Sequence, residues 1–186
     1  MPDSYYGGSE QQPDGMRSGF YYMAPSGSYA STVAGVNSQL FVVPFWPGAA
    51  KTLDRIGVNV TGAGEAGSLL RLGVFASDTD GLPSTLLLDA GTVVGDGATG
   101  FKQITIALAV AASKLWLGCA FQSAVTTRPT VSAALGNPPG VSRISTPSLI
   151  SEITGYLYSP VAGALTSLAV PSAVSTACPY VFVRAV

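Results

Sequence analysis

The chain has 186 residues, a formal net charge of -1 and only 10% charged side chains, so it lacks the positive field that nucleic-acid phosphates require. It contains no histidine, which excludes Ser-His-Asp and Cys-His catalysis and His-ligated zinc, and two cysteines are too few for a four-cysteine metal site. Glycine at 22 and proline at 13, spread between short apolar runs, disfavour long helices and point to an all-β domain.

Residues 1–37 read as an extended N-terminal arm and residues 38–186 as a β-sandwich domain. From Ser4 to Gly15 the arm is Tyr, Gly, Ser, Glu, Gln, Pro and Asp, with no helical or strand period. Such a segment cannot bury enough apolar surface to offset its own ordering entropy. It nevertheless carries Tyr5, Tyr6, Phe20, Tyr21, Tyr22 and Met23, residue types that anchor interfaces. Two expectations stand side by side: a disordered leader, or an attachment arm that orders on a neighbouring subunit. The segment has neither a basic n-region nor an apolar h-region, so no cleavable export signal is expected.

From Gln39 the pattern changes to short strands. Leu40–Trp46 is the first, with Pro44 expected to turn its second half into an edge or a bend. Ile56, Val58 and Val60 alternate with Gly57 and Asn59. Leu70, Leu72, Val74 and Ala76 then face one way, with Arg71, Gly73 and Phe75 facing the other. Asp78-Thr79-Asp80-Gly81-Leu82-Pro83 is turn chemistry, since Asp accepts from its own downstream backbone and Gly supplies positive φ.

Leu86–Val94 is the next strand, interrupted at Gly91, and Phe101–Ile106 follows a second turn. The apolar window Ile104–Phe121 is broken by Ala111-Ala112-Ser113 and Lys114, so it reads as two strands around a turn and no membrane insertion is expected. Its second half places Leu115, Leu117, Cys119 and Phe121 on one face, with Trp116, Gly118, Ala120 and Gln122 on the other. Val131–Leu135 is a further candidate, Asn137–Gly140 a loop, and Ser148–Ile153 a helical turn or strand. Gly155–Val161 and Tyr180–Val186 close the chain, the last apolar on both faces and expected to be central. The expected architecture is an antiparallel β-sandwich, jelly-roll-like.

Candidate chemistry is sparse. Asp78, Asp80, Asp89, Asp96, Glu65 and Glu152 are the acids available for a paired-carboxylate glycosidase, yet most lie beside Gly or Pro in turns. Asp78-x-Asp80-Gly81 resembles the start of a calcium loop without its later ligands, and Gly62–Gly67 lacks the Lys-Ser/Thr of a phosphate loop. No metal, catalytic group or cofactor is expected. Trp46, Trp116, Tyr156 and Tyr158 are aromatics that can stack on sugars, with a core or subunit-interface role as the favoured reading, while Trp116 and Tyr158 are the two expected as exposed contacts if any are. Cys119 and Cys178 form one bridge or stay separate as buried thiols.

Phe41–Phe45, Leu53–Val60, Leu70–Pro83 and Leu88–Val93 together resemble a module of tailed-bacteriophage virion proteins. There an Arg-Ile-Gly-hydrophobic strand precedes an Arg-Leu-Gly-hydrophobic strand, an Asp-Gly-x-Pro turn and a Leu-x-Asp-x-Gly segment. Lys114–Ala120 is similar to the strand that ends such modules. The resemblance spans Leu40 to Ser123 and implies a β-sandwich of tail-fibre, minor-tail, head-fibre or decoration proteins. It implies a non-enzymatic structural subunit, a short fibre, spike or decoration, located in the virion after assembly in the host cytoplasm. Implied partners are capsid or tail proteins and further copies of the chain as a homo-oligomer. The alternative is a receptor-binding tail module that recognises bacterial surface polysaccharide. A charge-poor surface fits either, because it is of the kind that partners cover.

Overall fold

The computed structural model describes residues 16–23, 28–124, 126–135 and 154–186. Among them are thirteen strands and no helix: β1 (Tyr21–Met23), β2 (Ser28–Val33), β3 (Gln39–Phe45), β4 (Lys51–Gly62), β5 (Leu69–Ser77), β6 (Pro83–Val94), β7 (Gly100–Val110), β8 (Leu115–Gln122), β9 (Thr130–Leu135), β10 (Gly155–Tyr158), β11 (Ala173–Ser175), β12 (Ala177–Pro179) and β13 (Val181–Ala185). They form two antiparallel sheets packed face to face, the expected sandwich. A six-stranded sheet runs β11-β10-β3-β8-β5-β6. The seven-stranded sheet runs β1-β13-β4-β9-β12, with β7 along the free side of β4 and β2 beside β9.

The six-stranded sheet is built on the alternation visible in β5 and β8. Leu72 lies opposite Cys119 and Val74 opposite Leu117, while Phe41 and Val43 of β3 meet the same two residues from the other side. These rows face the seven-stranded sheet and, with Ile56, Val58 and Val60 of β4, form the main core. Each fully buried Leu or Val there contributes about 1.5–3 kcal/mol. Residues of the other parity, Leu40, Val42, Phe75, Trp116 and Ala120, form a second apolar cluster on the far side of the same sheet. β8 is consequently buried along its whole length.

What buries that far side is residues 159–172, a segment without strands. Its Leu165 sits against Gly73, where an added Cβ would lie 2.3 Å from the Leu165 Cδ1. Phe75 similarly occupies the space that a side chain at Gly118 would need. Backbone bonds fasten the segment to the sheet: Val161 N–H donates to Ser38 O, Leu168 N–H to Ser84 O, and Ser172 N–H to Leu157 O. Gln122 Nε2 donates to the carbonyls of Val161 and Gly163.

Two expectations change and one holds. Part of the segment assigned to the arm belongs to the sandwich: Met16 is buried in the core, β1 pairs with β13, and β2 pairs with β9. Pairing with partners distant in the chain orders what local composition could not. The expected edge at Pro44 is present: β3 continues opposite Trp116, but its second half pairs on one side alone. The proline's missing N–H is tolerated because β10 covers β3 only from Leu40 to Val42, leaving one side of the strand open at Pro44. β13 does lie between β1 and β4, but it alternates, with Val181 and Val183 buried and Phe182 turned outward. The 137–140 loop and 148–153 lie outside the described residues.

The tightest approach in the sandwich is at Gly155, where a Cβ would fall 2.1 Å from the Val42 carbonyl oxygen and 2.9 Å from the Cys178 Sγ. Backbone cannot yield as a flexible side chain would. Gly155→Ala is therefore expected to lower unfolding free energy by about 1–3 kcal/mol, read from urea midpoints. An unchanged midpoint would mean that β10 can leave β3 without cost.

Candidate functional site

The outer face of the seven-stranded sheet carries a cluster of exposed aromatic rings. Phe101 from β7 makes edge-to-face contacts with Tyr21 at 5.2 Å and with Phe182 at 5.5 Å between ring centroids. Tyr180, buried between β12 and β13, supports the cluster from below with a tilted contact to Phe182 at 6.2 Å. Phe101 is 43% and Tyr21 38% exposed, and Phe20, which precedes Tyr21 in the chain, is 62% exposed. The rings meet because Gly57 of β4, opposite both Phe182 and Gln103, presents no side chain. A Cβ at Gly57 would lie 2.9 Å from the Phe101 Cζ.

Polar groups border the rings. The Tyr21 hydroxyl donates to Gln103 Oε1, and the Arg184 guanidinium lies 5.6 Å from the Tyr21 ring centroid. Arg184 also binds Asp54 through Nε at 2.9 Å and through its terminal nitrogen, with Arg55 on the same carboxylate at 3.4 Å. The Arg184 hydrogen bond holds the Asp54 carboxyl below its ordinary range despite an opposing desolvation cost, and Asp54 in turn raises Arg184. Asp54 sits at a register shift between Leu53 and Arg55, which lets Leu53 and Ile56 both face the core. Asn59 Nδ2 donates to Ser132 Oγ at 2.9 Å. Flat rings flanked by an amide and a guanidinium can take a ligand that has both apolar and hydroxylated faces, or an apolar protein surface with a polar rim.

The residues singled out from the sequence fall in different places. Tyr5 and Tyr6 lie outside the described residues. Tyr21 belongs to the ring cluster, whereas Tyr22 faces inward against the core and its hydroxyl accepts the Arg17 N–H at 2.7 Å. Trp116 and Tyr158 correct the expectation of exposure: both are buried under the 159–172 segment, Trp116 5.4 Å from Tyr156 and donating Nε1–H to Ser77 Oγ at 3.1 Å. Burial raises the Tyr158 hydroxyl above its ordinary range. Trp46 and Trp116 share the Lys114 ammonium, 5.5 and 4.4 Å from their rings, and burial lowers that lysine.

Phe101, Phe182, Tyr180 and Gln103 were not singled out by sequence. Their signal was parity: Ile104, Ile106 and Leu108 face the core in β7, which turns Phe101 and Gln103 outward. In β13, Val181 and Val183 do the same for Phe182 and Arg184.

Glu152 lies outside the described residues, and of the other acids Asp78, Asp96, Glu65 and Asp89 are engaged in structure. Asp78 Oδ1 accepts the N–H groups of Asp80 and Leu82, forming the expected turn with Gly81 at φ +78°. Asp96 accepts the Gly67 N–H, and Glu65 takes the N–H groups of Thr126 and Thr127, so the glycine-rich connection is tied at both ends. Asp89 accepts a two-pronged bond from Arg71 at 2.8 and 2.9 Å, and the N–H groups of Gly91 and Leu165 at 3.1 Å. Burial raises its carboxyl, but Arg71 and the two backbone donors outweigh burial and leave it lowered. Cys119 and Cys178 are separate buried thiols; burial raises Cys119 and pushes Cys178 up to about 12, which keeps both protonated and unreactive.

Comparison of the chain with protein-family models, with curated proteins and with solved structures yields no match. What the aromatic face can bind therefore follows from its own chemistry.

Asp89 links the β5–β6 pair to the covering segment, so its loss should loosen both. Asp89→Ala is expected to cost about 2 kcal/mol at neutral pH and to red-shift tryptophan fluorescence as water reaches Trp116. Because the folded carboxyl is lowered, its contribution is present above the ordinary Asp range and lost as pH falls through the folded value. Wild-type stability should then fall more steeply than that of the variant below about pH 4, and parallel profiles from urea titrations would refute the assignment.

Proposed function

We propose that the chain is a non-enzymatic structural subunit of a phage-like particle, a short fibre, spike or decoration joined to it through the N-terminal segment. One observation carries this reading. The chain enters the sandwich at Met16, runs past exposed Phe20 into β1 at the edge of the sheet, and there contributes Tyr21 to the aromatic cluster. The entering segment and the exposed rings thus make one continuous surface. Large aromatics with an arginine nearby are the residues that dominate association energies. The commitment of Asp54, Asp89 and Asp78 to ion pairs and turns supports a binding role over a catalytic one.

Many copies on one particle would convert weak single contacts into firm attachment through effective concentration. Removing residues 1–15 leaves Met16, Gly19 and β1 in place, so the sandwich should fold with an unchanged urea midpoint. The truncated protein should fail to enter particles assembled in its presence. Normal incorporation would sink the proposed anchor.

A second reading, recognition of bacterial surface polysaccharide, is favoured by the combination of Phe101, Phe182 and Tyr21 with Gln103 and Arg184 on one sheet face. Phe101→Ala should weaken binding to the recognised glycan about tenfold, with a stability cost of about 1–2 kcal/mol from its two lost ring contacts that leaves the chain folded. A glycan array without signal for the assembled protein would remove this reading and leave the first intact.

A further inference from the structure

The two sheets end on one side in the long strands β6 and β7, and among the described residues neither has a partner on its outer edge. The edges differ. β6 begins with Pro83, contains Asp89 and a left-handed Gly91 at φ +92°, and shifts register against β5 three times. Proline, charge and bulges are the devices by which proteins keep sheet edges from pairing. The remaining edge strands β1, β2, β11 and β12 are three to six residues long, and shortness is another such device.

β7 has neither proline nor, over most of its length, charge, and its one register shift, against Leu53–Arg55 of β4, leaves its own alternation intact. It is eleven residues long with unbroken alternation, and from Gln103 to Val110 it contains no charge, proline or glycine. Its core-facing Ile104, Ile106 and Leu108 pack on the main cluster but are only partly buried, so the core is open along this side.

We propose that β7 is a self-association edge: two copies of this chain pair their β7 strands antiparallel about a twofold axis, joining their seven-stranded sheets into one. The proposal deepens the homo-oligomeric part of the function proposed above by naming its surface.

A second copy suits this edge because the strand is self-complementary. With the axis at Ile106, Ile104 lies beside the partner's Leu108 and Ile106 beside the partner's Ile106, closing the open side of both cores. On the outer face Thr105 meets the partner's Ala107 and Gln103 the partner's Ala109, so the facing side chains do not crowd. Lys102 is the single charge of β7 and lies opposite the partner's Val110. The two lysines are then roughly 27 Å apart along the strands, well beyond a screening length of about 8 Å. Nothing in the pairing sets like charges together.

The test is sedimentation equilibrium of the full chain at micromolar concentration. Wild type should have twice the 18.9 kDa chain mass, and the exposed double substitution Thr105→Lys with Ala107→Lys should halve it. Those lysines would face each other across the axis, while circular dichroism should remain as in wild type and the urea midpoint should match that of wild type diluted to the monomer. Ile106→Cys, oxidised, should give a disulfide-linked dimer, since opposed strand residues fall within disulfide reach. A monomeric wild type would overturn the proposal together with the homo-oligomer. Self-association that survives the double lysine substitution would overturn β7 as the surface and leave the homo-oligomer standing. Loss of the dimer on deleting residues 1–15 would also overturn it, by giving the edge to the chain's own N-terminal segment.

Discussion

The structure depends on burying β8 on both of its faces. A strand that reads Leu-Trp-Leu-Gly-Cys-Ala-Phe-Gln has an apolar or small residue at nearly every position, so one packed sheet cannot satisfy it. The seven-stranded sheet covers Leu115, Leu117, Cys119 and Phe121. Trp116, Gly118 and Ala120 need a second cover, and residues 159–172 supply it. The fold therefore has three layers, the covering segment, the six-stranded sheet and the seven-stranded sheet, and no described residue covers the outer face of the last. Gly73 and Gly118 belong to the same requirement, since the gaps they leave are filled by Leu165 and Phe75.

This division decides which aromatics are available to a partner. Trp116, Tyr156 and Tyr158 are spent on the second cluster, while Tyr21, Phe101 and Phe182 remain on the wet face of the other sheet. Gly57 has the role there that Gly73 has on the covered side, an empty position filled from a neighbouring strand. The difference is that no chain closes over the rings among the described residues. An interfacial aromatic cluster held in place by its own edge-to-face contacts loses little freedom on binding.

Much of the sandwich was legible in period-2 alternation. β4, β5 and β8 show their inward residues directly, and the Asp78–Gly81 turn follows from side-chain oxygen and positive φ. β1 and β2 were not legible, because their strand character comes from pairing with β13 and β9, far away in the chain. The two faces of β8 were separable by parity, yet which face met water was not. That depended on residues 159–172, whose own sequence has no period. The same gap misassigned Trp116 and Tyr158, while Phe101 and Phe182 were overlooked although the alternation of their strands turned them outward.

The covering segment also makes the molecule one-sided. Residues 159–172 cover the six-stranded sheet around β8, so among the described residues the flat, ring-bearing surface is on the opposite side of the body, and the long β7 edge runs at right angles to that surface's normal. Pairing through the edge and capture through the face would therefore lie along different axes. Two bodies joined at that edge about a twofold axis normal to the sheet would present both sets of rings in one direction, as a doubled plate rather than two randomly oriented knobs.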